Sequence, residues 1–71
     1  MRIRKIEWKA RKFGPDSPYV VASTDTGRGY GVWKALFDDE GKPTNGYAAV
    51  GSGDGYVLAA ALDRAHSMNA I

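Results

Sequence analysis

The stretch from Asn45 to Met68, NGYAAVGSGDGYVLAAALDRAHSM, decides how the remainder of the chain is read. Asn45-Gly46 is a turn, Tyr47 to Gly51 a short strand, Gly51-Ser52-Gly53-Asp54-Gly55 a glycine-rich corner, and Tyr56 to Met68 the one convincing helical pattern in the sequence. Leu58, Ala61, Leu62, Ala65 and Met68 recur at the spacing that places them on one stripe of a helix, with Asp63 and Arg64 turned away from it. A single helix with one apolar stripe needs a sheet beneath it. Upstream the residues alternate apolar and polar as half-buried strands do, so each layer supplies the surface the other lacks. The expectation is an α+β fold: a three- or four-stranded antiparallel meander with one C-terminal helix packed on one face, residues 1–71 forming a single domain.

Working outward, Tyr30 to Phe37 is the third strand and the expected centre of the sheet. Trp33, Ala35 and Phe37 share one parity, and we place that face under the helix. Val32, Lys34 and Leu36 then occupy the opposite, open face, which is more apolar than solvent alone calls for and is a candidate docking surface. Tyr19 to Thr24 is the second strand, joined to the third by the glycine-bearing turn Asp25-Thr26-Gly27-Arg28-Gly29. Phe13-Gly14-Pro15-Asp16-Ser17-Pro18 separates it from a first strand within Ile3 to Arg11, in which Ile6, Trp8 and Ala10 point one way while Lys5, Glu7, Lys9 and Arg11 point the other. Ile3 falls on the wrong parity, so either a bulge resets the register or the strand begins after it.

Charge is unevenly spread. The net charge is +2, but Arg2, Arg4, Lys5, Lys9, Arg11 and Lys12 fall in the first thirteen residues against Glu7 alone, which gives that segment +5. The remaining four cations stand against seven acids, or −3. A basic strand on a mildly acidic body is an electrostatic footprint for nucleic acid or an acidic protein, and equally the charge that keeps an edge strand from aggregating. With 71 residues the chain holds one small core, and with no cysteine it has neither disulfides nor thiolate metal sites to support it. Association with a partner protein, or with itself as a homodimer, is the natural compensation. No signal peptide follows Met1 and no run approaches the ~18 apolar residues of a membrane span. Those observations point to a cytoplasmic protein with no membrane partner.

Catalytic and cofactor chemistry find little support. The glycine corner before the helix could receive a phosphate, but it lacks the Lys and Ser/Thr of a nucleotide loop, and Asp54 would put a negative charge where the phosphate sits. Capping of the helix by Asp54 or Ser52 is the preferred role. Asp63, His66 and Ser67 are the residue types of a hydrolytic triad, but neighbours on one helix diverge and no oxyanion hole accompanies them. His66 in the last turn is accounted for by the helix dipole. Asp38-Asp39-Glu40-Gly41 lacks the alternating oxygen ligands of a calcium loop and reads as a solvated turn. No catalytic residue, cofactor or metal is assigned.

Two partial resemblances exist. Gly29-Tyr30-Gly31-Val32, a loop with Gly41, and Gly51 to Ala65 entering the helix resemble the N-terminal module of HicB-type antitoxins, although Tyr56 and Val57 stand where the glutamate pair of that helix is usual. Gly51-Ser52-Gly53 before an alanine-rich helix is similar to the end of double-stranded-RNA-binding domains, although Gly55, Tyr56 and Val57 replace the lysines that grip phosphates there. Each covers only part of the chain, and no family is assigned. Two functions are expected from the sequence. The first is a small non-enzymatic protein-binding regulator or inhibitor, antitoxin-like or of the phage-borne anti-defence kind, docking through the open face (Val32, Lys34, Leu36) or an edge strand. The alternative is a nucleic-acid-binding module that uses Arg2, Arg4, Lys5, Lys9, Arg11 and Lys12, with Lys34, for phosphates.

Overall fold

The computed structural model describes residues 1–70. Four strands, β1 (Ile3–Lys9), β2 (Tyr19–Thr24), β3 (Tyr30–Phe37) and β4 (Pro43–Ala49), form an antiparallel meander in the order β1-β2-β3-β4. The helix α1 (Leu58–Asn69) lies across β2 and β3. This is the α+β architecture expected. β1 and β4 are the edges, so β2 and β3 share the central position.

The helix sits on the face opposite to the one the sequence suggested. Val32, with Val21, packs against Ala61 and Ala65, and all four are fully buried. Trp33 lies on the other face with Val20 and Ala22. The expected open face of Val32, Lys34 and Leu36 is therefore the helix face: Val32 is sealed beneath α1, while Lys34 and Leu36 remain exposed beside it. The cause is steric. A helix that meets β2 and β3 through two alanines comes close enough for valines but leaves no room for an indole between it and these central strands, and Trp8 reaches this face only from the edge strand. The opposite face offers Trp33 both space and a hydrogen-bond acceptor.

That second face is covered by loops. The glycine corner folds over Trp33 and Gly31, and the segment from Phe13 to Pro18 closes the other end, with Phe13 and Phe37 rings 5.3 Å apart and the Ala35 amide donating to the Pro18 carbonyl. The protein thus has two thin cores, one on each side of the sheet.

The corner does not cap the helix. Val57 occupies the N-cap position and forms no side-chain cap bond. Asp54 instead accepts from the Thr26 hydroxyl at 2.8 Å, and Ser52 donates to the Asp54 carbonyl. Thr26 has one proton and gives it to Asp54, so the 2.7 Å bond between Thr26 and Thr24 uses the proton of Thr24. This relay ties the β2–β3 turn to the corner. Beyond it, Tyr56 exchanges backbone hydrogen bonds with Tyr30 before the helix begins.

β1 carries two bulges. One extra residue lies between Ile3 and Lys5 and another between Ile6 and Trp8 in the pairing with β2. Ile3 and Ile6 therefore both point to the loop face, whereas Trp8, opposite Val21, turns to the helix face. The expected common side of Ile6 and Trp8 is corrected by the extra residue at Glu7, and Ile3 owes its parity to the one at Arg4.

Candidate functional site

The six cations singled out in the sequence, Arg2, Arg4, Lys5, Lys9, Arg11 and Lys12, are all exposed, the first four on or beside the free edge strand β1 and the last two in the turn after it. Lys5 is 3.9 Å from Glu7, whose other carboxylate oxygen accepts from the Ser23 hydroxyl. Asp25 accepts from the backbone amide of Arg2 and donates its own to the Arg2 carbonyl, closing the start of β1 onto the β2–β3 turn. Lys9 lies 5.0 Å from the centroid of the Phe13 ring on the loop face. Among the described residues, the only ion pairs within 4.0 Å are Lys5–Glu7 and Lys42–Glu40, so Arg2, Arg4, Lys9, Arg11 and Lys12 lack a carboxylate partner. Lys34 does not join this row, because it stands on β3 with β2 in between.

Two clefts flank β1 on the helix face. One, of about 350 Å³, lies between Arg4, Lys5, Glu7, Ser23 and Tyr30. The other, of about 260 Å³, lies at the C-terminal end of the helix between Trp8, Arg11, Lys12 and His66. In the second the Trp8 and His66 rings meet at 4.5 Å with their planes at 54°. The wall behind them is fixed by Asn69, whose side chain accepts from the Tyr19 amide and donates to the Tyr19 carbonyl, both at 3.1 Å. Sequence reasoning placed Trp8 on one side of the first strand with Ile6 and Ala10, and His66 on the helix dipole. Their meeting depends on the bulge at Glu7, which hydropathy alternation does not announce.

The opposite edge differs in kind. β4 contains no charged side chain from Pro43 to Ala49. The Val50 amide donates to the Val32 carbonyl, so the alternation of an antiparallel ladder turns the backbone groups of Ala49 and Tyr47 outward. Two extra residues between Pro43 and Tyr47, with Asn45 at φ 63, interrupt the first half of this strand.

Elsewhere the residues that suggested other chemistry are occupied. Asp38 accepts from the backbone amides of Glu40 and Lys42, both at 2.9 Å, which makes its carboxylate the organiser of its own turn. Arg64 lies 5.8 Å over the Tyr56 ring. Among the described residues no three of His, Cys, Asp or Glu come together as metal ligands, and no described helix is long and apolar enough to cross a membrane. No family model, no curated protein and no solved structure matches this chain.

Proposed function

We propose that this chain is a small nucleic-acid-binding module with a binding rather than a catalytic role, and that its contact surface is the edge strand β1 with the adjoining turn. The observation that carries this reading is the exposed row of Arg2, Arg4, Lys5, Lys9, Arg11 and Lys12, five of them without a carboxylate partner among the described residues. Unpaired cations on one edge neutralise phosphates at little desolvation cost and release condensed counterions, which is the main source of non-specific affinity for a polyanion. The test is fluorescence anisotropy with a labelled 20-nucleotide DNA at low and moderate salt. Binding that falls steeply with salt and is lost in a Lys5→Glu, Lys9→Glu, Arg11→Glu variant supports the reading; binding that the triple variant retains removes it.

A second reading is favoured by the uncharged edge of β4. A protein-binding regulator or inhibitor of the antitoxin or anti-defence kind would take an extended segment of its partner onto the free groups of Tyr47 and Ala49, beside the exposed Lys34, Leu36 and Ala48. The burial of Val32 and the loops over the Trp33 face leave this edge, rather than an open sheet face, as the support for that reading. A protein that stays bound in stoichiometric amount after nuclease treatment, and is released by Ala49→Pro, would favour it over the first.

A further inference from the structure

Resting on the nucleic-acid reading, we propose that the strand recognised is single, and that the cleft lined by Trp8 and His66 receives one unpaired base against the surface of their touching rings while Arg11 and Lys12 hold the adjoining phosphates. The geometry distinguishes this from a duplex grip. Duplex readers insert a helix or a two-stranded ribbon into a groove, and here neither is available. The outward side of α1 carries Ala59, Ala60, Asp63, Arg64 and Ser67, and its one cation, Arg64, lies over Tyr56. β1 is a seven-residue strand whose two bulges make it irregular, and its cations stand along a sheet edge rather than on a projecting ribbon.

A flexible single strand can instead follow that edge and turn a base inward. The cleft at its end measures about 260 Å³, near the ~300 Å³ lower bound of small-molecule sites and suited to one planar ring. Its aromatic pair is already set in place. Trp8 packs against the buried Val21, Ala61 and Ala65 cluster, and the Asn69 bonds to Tyr19 hold the end of the helix that carries His66. Little ordering entropy is then lost when a base stacks. Arg11 and Lys12 at the rim put positive charge where the backbone of such a base would pass.

Tryptophan emission reads this directly, because the two indoles differ. Trp33 is 6% exposed and bonded to the Gly53 carbonyl, whereas Trp8 borders the cleft, so quenching by added oligonucleotide reports on Trp8. The probes are a 12-nucleotide oligothymidine and its duplex with oligoadenosine, titrated at 50 mM salt. The single strand is expected to quench the emission and to bind at least about tenfold more tightly than the duplex. Trp8→Leu, which keeps apolar volume, is expected to weaken single-strand binding about 5- to 150-fold, the range of one lost stack. His66→Ala, at an exposed position, is the variant that decides if Trp8→Leu fails to fold, and a several-fold loss is expected. Equal affinity for the duplex, single-strand binding without quenching, or unchanged binding by His66→Ala would overturn the base-stacking site and leave the nucleic-acid reading standing. No binding of either probe would remove both.

Discussion

The indole Nε1–H of Trp33 donates to the carbonyl of Gly53, 3.1 Å away and twenty residues along the chain, and this bond closes the glycine corner over the face of the sheet that the helix does not cover. Both residues are buried, so the carbonyl has no water to fall back on. Trp33→Phe keeps most of the ring and removes the donor. The expected cost is about 1 to 3 kcal/mol, the penalty of a buried acceptor left unsatisfied. Urea unfolding checks it, with the midpoint falling and the slope unchanged.

Gly31 stands on the same face, directly beneath the corner. A Cβ there would overlap the Gly53 carbonyl, and β3 cannot retreat, because Gly31 pairs with Ala22 on one side while Tyr30 is bonded to Tyr56 on the other. Gly31→Ala is therefore expected to cost more than Trp33→Phe, at least about 3 kcal/mol, by lifting the corner and exposing Trp33. A red shift in Trp33 emission should accompany the lower unfolding midpoint. A midpoint as high as that of the unaltered chain would show that the corner is not held against the sheet.

The pattern of the Asn45 to Met68 stretch was enough to place one helix on an antiparallel sheet, because Ala61, Leu62, Ala65 and Met68 of the expected stripe do meet the sheet, although Leu58 at the start of the helix stays exposed. Which face it covers was not legible. Val32 and Trp33 are neighbours of comparable hydrophobicity, and the choice between them rests on how near the Ala61 and Ala65 surface lets the helix approach. The basic row at β1 was legible as composition. Its pairing with an aromatic cleft was not, because one extra residue at Glu7 sends Trp8 to the helix side, and bulges leave no mark on an alternating pattern. Asp54 misled for a related reason: a short polar residue before a helix satisfies a cap or a loop equally well, and here the Thr26 hydroxyl claims it.

Asn69 joins the last turn of the helix to β2 through both backbone groups of Tyr19. Tyr19 opens the strand, where these groups would otherwise face the end of the helix unpaired. Asn69→Ala removes both bonds from a partly buried site. A loss of about 1 to 3 kcal/mol is expected. Hydrogen exchange should localise it, with the amides at the C-terminal end of α1 and at Tyr19 losing protection before those of β3. Uniform loss across the sheet would mean that the bonds are not a local tether.

Val57 offers the reverse case. It holds the N-cap position at φ −71° and ψ 154°, an extended conformation that suits a capping residue, yet it supplies no acceptor, and the first turn contains no acid. With 71% of its surface exposed, little core packing is lost on replacement. Val57→Asp is expected to stabilise the protein by about 1 kcal/mol, since its carboxylate meets the free amides and the positive end of the helix dipole. A 71-residue chain should show this as a rise in Tm of roughly 4 to 8 °C. An unchanged Tm would mean that those amides are already satisfied.

The salt dependence of binding counts the phosphates that β1 touches. For a single strand, log K against log salt has a slope of about −0.7 per neutralised phosphate. Lys9, Arg11 and Lys12 are exposed and have no carboxylate within 4.0 Å among the described residues, so neutralising them leaves no acid unpaired. The variant Lys9→Gln, Arg11→Gln, Lys12→Gln is expected to fold as the unaltered chain does and to reduce the slope by about 2, one phosphate for each cation removed. Lys42→Gln, whose ammonium lies 3.4 Å from Glu40 in the turn before β4, serves as the control and should leave the slope unchanged. If Lys42→Gln shifts it by about a third as much as the triple variant, the same amount per cation, the attraction comes from net charge spread over the whole surface, and the edge strand has no special place in binding.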